Sequence, residues 1–329
     1  MIIERDDDAH DFEVVAPGTT FLRDTTRNII ATNDSPDILI EASINPYRGC
    51  EHGCVYCFAR PTHEYLGMSA GLDFEMKIMV KLDAPRLLRE TLASPKWKPV
   101  PISVSGVTDC YQPVEKKLRL TRGCLEVCAE FRNPVGVITK NALITRDADV
   151  LADMATDDAA VAILSVTTLD ADLARVMEPR TSSPRRRLEA IETLTKAGVP
   201  TGVMVAPIVP GLTDHEAPAI LKAAADAGAC FADYVPLRLP WAVAPLFETW
   251  LGQHFPDRKE KVLNRIRSMR GGKLNDGNFH TRLAGEGVFA KQIESMFELA
   301  KRKAGLIKPA PKLSTDAFRR PAGPQMTLW

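Results

Sequence analysis

The feature that most constrains the fold is an alternation of short apolar runs with longer amphipathic stretches between residues 38 and 240. Runs rich in β-branched residues predict strands at 38–44, 100–106, 135–140, 161–167, 201–209 and 233–239. Helical periodicity between them predicts helices at 84–93, 115–131, 146–155, 184–197 and 215–228. Near-continuous apolar strands separated by helices are typical of a parallel sheet covered on both faces. We therefore expect an α/β fold with about six strand–helix units, whose reactive side chains lie after the carboxyl ends of the strands.

The regions that flank this alternation differ from it. Residues 1–37 show no sustained periodicity, which predicts an irregular N-terminal extension. Beyond Pro240 the strand pattern stops, and a mainly helical C-terminal region is predicted over 241–329. Its helices are expected at 243–254, 257–270 and 288–304, before a loose tail. We therefore predict three parts: an extension (1–37), the strand–helix domain (38–240) and the helical region (241–329).

The charge of the chain is balanced overall but unevenly distributed. From Asp257 to the C-terminus there are 16 Lys and Arg against 7 Asp and Glu, a net charge of +9 in a chain whose net charge is zero. A basic region on an acidic body favours contact with phosphate groups. A solvated helical surface has the same composition, so charge alone leaves both interpretations open.

Several global features predict a cytoplasmic protein without a membrane segment. No apolar run approaches the roughly 20 residues that a membrane-spanning helix needs. The start, MIIERDDDAHDFE, is acidic and has no apolar stretch typical of a secretory signal. Seven cysteines, an odd number in a long chain, do not predict a disulfide framework.

Three of the seven cysteines lie in one short segment directly after the first predicted strand. Cys50, Cys54 and Cys57 have the spacing C-x3-C-x2-C, and the nearby Gly49 and Gly53 let the segment bend so that the thiols face one centre. The neighbours are polar, which disfavours simple burial of the thiols in a core. A structural zinc site would need a fourth ligand, for which His52 or His63 are candidates.

An iron–sulfur cluster with three protein ligands is the other possibility. Ferredoxin-type clusters are usually held by four cysteines. Three ligands leave one iron with open coordination, as catalytic metal sites leave one position for substrate.

The spacing, the aromatic residue Tyr56 before the last cysteine and the position after the first strand resemble the radical S-adenosylmethionine (SAM) superfamily. The resemblance implies a partial TIM barrel, approximately (β/α)6. It also implies a [4Fe–4S] cluster on Cys50, Cys54 and Cys57, with SAM bound at the open iron. In that family the aromatic residue lies against the adenine of SAM, a role that would fall to Tyr56.

Further segments resemble the subgroup that contains spore photoproduct lyase; they are NPYRGCEHGCVYCFAR, SVSGVTDCYQPVE, ITKN and SVTTLD. The resemblance implies that Lys140, after the third strand, contacts the SAM carboxylate. It implies that Ser165, in the fourth strand, approaches SAM. Glu178 and Arg180 match a family segment at the barrel mouth, although they could equally pair with each other.

Two positions depart from the subgroup. The lyase returns hydrogen from a cysteine after strand two, and Cys110 lies a few positions beyond that point, with Tyr111 beside it. We interpret Cys110 as a candidate hydrogen donor and Tyr111 as a candidate radical carrier, with a buried structural role as the alternative. Phe58 stands where the lyase has a second tyrosine, and phenylalanine cannot form a phenoxyl radical. Repair of spore thymine dimers is therefore not the expected reaction.

The sequence thus predicts a radical SAM enzyme that abstracts hydrogen, with nucleic acid as the favoured substrate class. One alternative keeps this chemistry but acts on a peptide or small metabolite. Another is an iron–sulfur or zinc regulatory protein without turnover. An electron donor of the flavodoxin or ferredoxin type is the expected partner of the enzyme.

Overall fold

The computed structural model describes residues 18–38 and 40–321. The acidic start, Leu39 and the last eight residues of the tail lie outside the described residues. The strands are β1 (Thr20–Arg23), β2 (Ile30–Thr32), β3 (Ala42–Ile44), β4 (Tyr47–Arg48), β5 (Lys77–Val80), β6 (Ile102–Val104), β7 (Val135–Thr139), β8 (Ala160–Ser165), β9 (Thr201–Ile208) and β10 (Phe231–Pro236). The α-helices are α1 (Leu72–Met76), α2 (Ala84–Ala93), α3 (Glu115–Leu118), α4 (Leu120–Phe131), α5 (Ala148–Ala155), α6 (Ala171–Met177), α7 (Pro184–Lys196), α8 (Ala217–Asp226), α9 (Val243–His254), α10 (Lys259–Ser268), α11 (Thr281–Ala284) and α12 (Gly287–Lys303).

The main sheet confirms the predicted parallel α/β architecture. Its strand order is β10-β9-β8-β7-β6-β3-β2, and every neighbouring pair from β3 to β10 is parallel. Only β2, at one edge, runs antiparallel to its neighbour β3. Strands adjacent in the sheet follow one another in chain order, except that β4 and β5, which belong to a second sheet, come between β3 and β6; this is the order of a barrel. Among the described strands β2 and β10 form the two edges, so the fold is a partial barrel.

Burial explains why these segments form central strands. All but one of the β8 residues are buried, as expected for a parallel strand covered on both faces. Gly202 in β9 is required by packing, since a Cβ there would lie 2.3 Å from the ring of Phe231 in β10. The main hydrophobic core lies around these strands and the helices that pack on them.

The described part of the N-terminal extension, from residue 18 onward, is more ordered than its sequence predicted. β2 extends the main sheet, whereas β1 joins a small second sheet of order β1-β5-β4. Both strands are only three or four residues long, too short to show a period-2 pattern. Pairing with distant segments therefore determines their conformation.

Two further local differences concern helices. The predicted helix at 115–131 is two helices, because Arg119 between them adopts a left-handed conformation with φ of 52°. Helix α6 was not predicted, and it leads directly to Glu178. The start of the predicted loose tail is bound to the body: the Phe318 ring packs on Phe131, and the Arg319 N–H donates to the carbonyl of that residue.

Helices α9 and α10 of the C-terminal region form a second hydrophobic cluster with the cysteine segment, whereas α12 packs in the main core. Phe247 and Trp250 of α9 and Leu263 of α10 pack with Cys54 and Tyr56 in that cluster. The Trp250 indole also donates to the Val176 carbonyl in α6. The helical region is therefore part of the scaffold of the site. Within the described part of the chain, none of the helices has the length and apolar character needed to cross a bilayer.

Candidate functional site

The three clustered cysteines lie on a loop at the carboxyl end of β3. Hydrogen bonds from Gly53 N–H to the Cys50 carbonyl (3.4 Å) and from Cys57 N–H to the Cys54 carbonyl (3.2 Å) fold the loop back on itself. The Cys50 N–H donates to the Phe74 carbonyl at 2.9 Å, which anchors the start of the loop to α1. All three thiols are free; Cys50 and Cys54 are buried, and Cys57 is partly exposed.

Two glycines are required by the shape of this loop. Gly49 and Gly53 have φ values of +81° and +67°, in the left-handed region that other residues rarely adopt. Space is also missing, since a Cβ on Gly53 would lie 2.4 Å from Arg180 Nη2 and 2.6 Å from Glu75 Oε2. The sequence analysis expected these glycines to let the segment bend. Their left-handed backbone and the lack of room for a side chain are the structural reasons.

Gly53→Ala is expected to destabilise the protein by about 2 kcal/mol or more, because a left-handed conformation costs an L-residue about 1–2 kcal/mol and the methyl group also displaces an ion pair. Urea unfolding measures the change. Gly67→Ala is the matched control, since Gly67 has a φ of +70° but no atom within 4 Å of the added Cβ. Equal losses in the two variants would show that the Arg180–Glu75 contact does not restrict the loop.

Two arginines and one glutamate hold the loop from outside. Arg60 is buried and donates to the carbonyls of Gly53 and Cys54, each at 3.0 Å. Glu75 accepts from both Arg60 and Arg180, and the Arg180 N–H donates to the His52 carbonyl at 3.2 Å. Arg180 thus pairs with Glu75 and not with Glu178. The Arg180 contacts join segments more than 100 residues apart, and no local sequence pattern indicates them.

A second support comes from the loop after β6. The buried Gln112 side chain accepts from the Glu51 N–H at 2.9 Å and donates to the Gly49 carbonyl at 3.3 Å, so it brackets Cys50. Below it, Asp109 lies 3.4 Å from His52 Nδ1 and accepts from the Thr139 hydroxyl at 2.6 Å. Burial opposes ionisation of Asp109, but His52 and the hydrogen bonds hold its pKa at about 2. His52 and Asp109 lie in segments that resemble the family, but no sequence pattern indicates their contact.

The pKa values of the three thiols indicate what kind of group the loop can bind. Burial raises the pKa of all three cysteines, and for Cys54 the charge of Glu178 adds to the effect, while Lys140 opposes it. Ionised thiolates are therefore unfavourable unless a cation compensates them. Metal coordination does this, since thiols bind metal as thiolates. Three reduced, desolvated thiols on one preformed loop thus fit a cationic cluster.

The two candidate histidines do not complete a four-ligand zinc site. His52 contacts Asp109 through Nδ1 and Asn141 through Nε2. His63 Nε2 lies 2.9 Å from the Lys77 carbonyl. Within residues 18–38 and 40–321, no three His, Cys, Asp or Glu side chains surround a position for a single metal ion. In a cluster each thiolate binds a different iron, so its ligands stand farther apart than those of one ion. Three thiols with no fourth ligand from either candidate histidine fit the cluster, which needs three cysteines.

Beside the loop, a buried glutamate gathers the predicted SAM-binding residues. Glu178 is fully buried and accepts hydrogen bonds from the Tyr56 hydroxyl, from Thr167 at 2.6 Å and from Arg187. The Lys140 ammonium lies 3.7 Å from the same carboxylate and 5.8 Å from the centre of the Tyr56 ring. Burial alone would raise the pKa of Glu178, but Arg187 and Lys140 hold it at about 2. The network connects the loop after β3 to the ends of β7 and β8.

Ser165 ends β8 next to this network. It is buried, and its carbonyl accepts from Arg187 Nη1 at 3.0 Å. We find no hydrogen bond from its hydroxyl to the described residues. Arg187, which sequence reasoning missed, therefore links Ser165 to Glu178. Arg187 follows two other arginines at the start of α7, and the sequence has no signal that distinguishes it from them.

Cys110 and Tyr111 lie elsewhere, in the main hydrophobic core. Both are fully buried; Cys110 Sγ is 4.0 Å from the Val104 carbonyl, and the Tyr111 hydroxyl donates to Asp147 at 3.0 Å. Burial raises the pKa of both groups, and the neighbouring carboxylates Asp109 and Asp147 add to this effect. These contacts are those of packed core residues. Roles as hydrogen donor and radical carrier stay predictions.

Comparison with known proteins agrees with this geometry. Residues 44–224 match the family model described as Radical SAM superfamily. An uncharacterized protein of Mycobacterium tuberculosis (strain H37Rv) is 35% identical over 217 residues, which cover 65% of this chain and 64% of the relative. The match therefore spans slightly less than two thirds of that curated relative.

Solved structures share the fold at low identity. A variant of spore photoproduct lyase superposes with a TM-score of 0.64 at 16% identity, covering 87% of this chain and 80% of the other. Spore photoproduct lyase complexed with dinucleoside spore photoproduct gives 0.62, also at 16% identity, covering 86% and 79%. At this identity the likeness demonstrates a common fold.

Proposed function

Because this chain belongs to the radical SAM superfamily, we propose that it is an enzyme that cleaves SAM reductively and abstracts a hydrogen atom from a nucleic-acid substrate. The cofactors of the family are a [4Fe–4S] cluster and SAM. The observation that carries the proposal is the position of Lys140. This residue follows the third barrel strand, and the family resemblance implies that it contacts the SAM carboxylate. It lies between the Tyr56 ring and the buried Glu178, next to the cysteine loop.

Cys50, Cys54 and Cys57 are the proposed cluster ligands. When bound, the cluster supplies the electron that cleaves SAM to methionine and a 5′-deoxyadenosyl radical. The chain supplies a loop whose conformation is fixed before binding by Arg60, Gln112 and the glycines. A ligand set that is already ordered loses little conformational entropy on binding.

Tyr56, Lys140 and Ser165 are proposed to hold SAM. The Lys140 ammonium is fixed by a 2.8 Å hydrogen bond to the Ala206 carbonyl, and it keeps further N–H groups for a carboxylate. Glu178, which pairs with Lys140, also accepts a hydrogen bond from the Tyr56 hydroxyl. This bond holds the Tyr56 ring for contact with adenine. The Ser165 hydroxyl, without a partner among the described residues, is available to a polar group of the cofactor.

Nucleic acid is the proposed substrate class for two reasons. The fold is that of spore photoproduct lyase, which has been solved in complex with a dinucleoside spore photoproduct. The C-terminal region is also basic. A peptide or small metabolite is the competing class, and salt separates the two, because each phosphate contact releases counterions and makes binding weaken as salt rises.

The test of the proposed function is anaerobic reconstitution with iron and sulfide, followed by dithionite and SAM. We expect 5′-deoxyadenosine to form, because the proposed cluster ligands and the proposed SAM-binding residues Tyr56 and Lys140 lie next to one another. A reconstituted protein that yields no 5′-deoxyadenosine would refute the proposal. The same preparation then serves to compare flavodoxin and ferredoxin as electron donors.

Lys140→Ala is expected to weaken SAM binding by about 10- to 100-fold, since a hydrogen bond between charged groups contributes about 1.5–3 kcal/mol. Equilibrium dialysis of the reconstituted protein measures this change. Lys222→Ala is the control, because Lys222 is an exposed lysine on α8 that pairs with Asp226 on the same helix. If both variants retained the parent affinity for SAM, Lys140 would have no part in the SAM site.

A further inference from the structure

An aromatic residue and an arginine meet beside the cysteine loop, outside the groups assigned so far. Phe58 follows Cys57 directly, and half of its surface is exposed. The guanidinium of Arg238, just after β10, lies over the Phe58 ring at 5.4 Å from its centre. The carboxyl end of the last barrel strand thus places a cation next to the cysteine loop.

The Arg238 guanidinium has no hydrogen-bond or ion-pair partner among residues 18–38 and 40–321, although it is partly buried. Its neighbour Arg282 differs, since Arg282 pairs with Asp37 at 2.6 Å. Burial and the charge of Arg282 lower the pKa of Arg238, and the charges of Asp37 and Asp276 oppose this only in part, so an added negative charge would stabilise the guanidinium. A partly buried guanidinium with five unused donors is suited to a planar or tetrahedral oxyanion.

Hydrogen bonds from Arg270 fix the backbone that leads to Arg238. Arg270 is buried, and its Nη2 donates to the Pro236 and Leu237 carbonyls at 3.0 and 3.1 Å. Its Nη1 donates to the carbonyls of Thr281 and Arg282. Arg270 lies in the basic, glycine-containing segment 267–273. Its guanidinium donates to these backbone carbonyls and is therefore not available to a substrate phosphate. Its effect is to fix the end of β10 so that Arg238 stays over Phe58.

A second exposed aromatic residue lies on the same connection. Trp241, three residues beyond Arg238, is 72% exposed, and its φ of +44° is in the left-handed region. Strained backbone and an exposed indole are both unfavourable in the free protein, and such features concentrate at binding sites. Exposed aromatic rings next to arginine are how proteins hold single-stranded nucleic acid, by base stacking and phosphate contact.

We propose that Arg238 and Phe58 hold one nucleotide of the substrate strand beside the cysteine loop, with its phosphate on the guanidinium and its base against the ring. The inference rests on the proposed function and specifies how its substrate is bound. A guanidinium stacked on an aromatic face keeps its in-plane donors free for phosphate. The exposed part of Phe58 remains available to the base. Phenylalanine thus has a binding role at the position where the related lyase has tyrosine.

Binding of a short, labelled single-stranded DNA oligonucleotide to the reconstituted protein tests this inference by fluorescence anisotropy. Arg238→Gln should bind about 10-fold more weakly, and the slope of log affinity against log salt should fall by about one. Arg238→Lys should keep the slope. Phe58→Leu should bind about 5- to 100-fold more weakly with an unchanged slope, because it removes stacking but no charge. Iron content and circular dichroism confirm that each variant is folded.

Arg89→Gln is the matched control, since it removes the same charge from α2, where Arg89 pairs with Glu130. Its affinity should stay within about twofold of the parent protein. Parent-like binding by Arg238→Gln, or equal losses in Arg238→Gln and Arg89→Gln, would overturn the inference. Thymidine monophosphate bound as tightly as the oligonucleotide would overturn it as well, because the ligand would then be a free nucleotide. The proposed function is judged separately, by 5′-deoxyadenosine formation in the parent protein.

Discussion

Replacing Cys54 by alanine is expected to abolish formation of 5′-deoxyadenosine and to lower bound iron and sulfide to background. Cys54 is one of three thiols on the loop; Cys110, Cys124 and Cys128 pack in the main hydrophobic core and Cys230 lies beside Thr201. Changing residues that only support a metal ligand typically costs 10- to 100-fold in affinity or activity, so loss of a ligand is expected to cost more than about 100-fold. Iron and sulfide assays, electron paramagnetic resonance of the reduced protein and product analysis measure the effect.

Cys230→Ala is the matched control for this variant. Cys230 is a partly buried free cysteine whose thiol lies 3.4 Å from the Thr201 carbonyl, away from the cysteine loop. It should retain the iron, the sulfide and the product of the parent protein. If Cys54→Ala kept a full cluster while Cys230→Ala lost it, the assignment of ligands would be wrong.

The strand–helix alternation could be predicted from sequence because it depends on patterns that repeat within each element. Apolar runs gave all six barrel strands to within a few residues, and helices α2 and α9 begin and end as expected. Helix α6 was missed because its seven residues are too few to show a period. The Asp170 side chain, which accepts from the N–H groups of Asp172 and Leu173, is a capping signal that could have revealed it.

The residues of the site could be predicted only where they belong to a short sequence motif. Three cysteines within eight residues define a ligand set without any tertiary information, and Tyr56 and Lys140 followed from resemblance. The contacts that hold these residues join distant segments: Tyr56 and Glu178 are 122 positions apart, and Arg180 and Glu75 are 105 apart. Pairing of charges over such distances depends on the tertiary fold, so no periodicity within the sequence indicates it.

Removal of the buried Glu178 carboxylate is expected to have the largest effect on stability. Glu178→Ala leaves Arg187, which is 1% exposed, without its counter-charge, and it also removes the partner of Lys140 and Tyr56. Breaking a buried ion pair by deleting one member costs about 3–5 kcal/mol, because the remaining charge stays desolvated. Urea unfolding at neutral pH, followed by far-ultraviolet circular dichroism, measures the change.

Glu192→Ala is the control, since Glu192 makes an exposed pair with Lys196 on α7, the helix that carries Arg187. It should change stability by no more than about 1 kcal/mol. Acid provides an independent check, because burial opposes ionisation of Glu178 but Arg187 and Lys140 lower its pKa from 4.5 to about 2. The stabilisation is therefore complete above pH 4.5 and is lost as pH falls toward 2. Glu178→Ala should lack this part of the acid dependence, and a variant as stable and as acid-sensitive as the parent would show that the network does not stabilise the site.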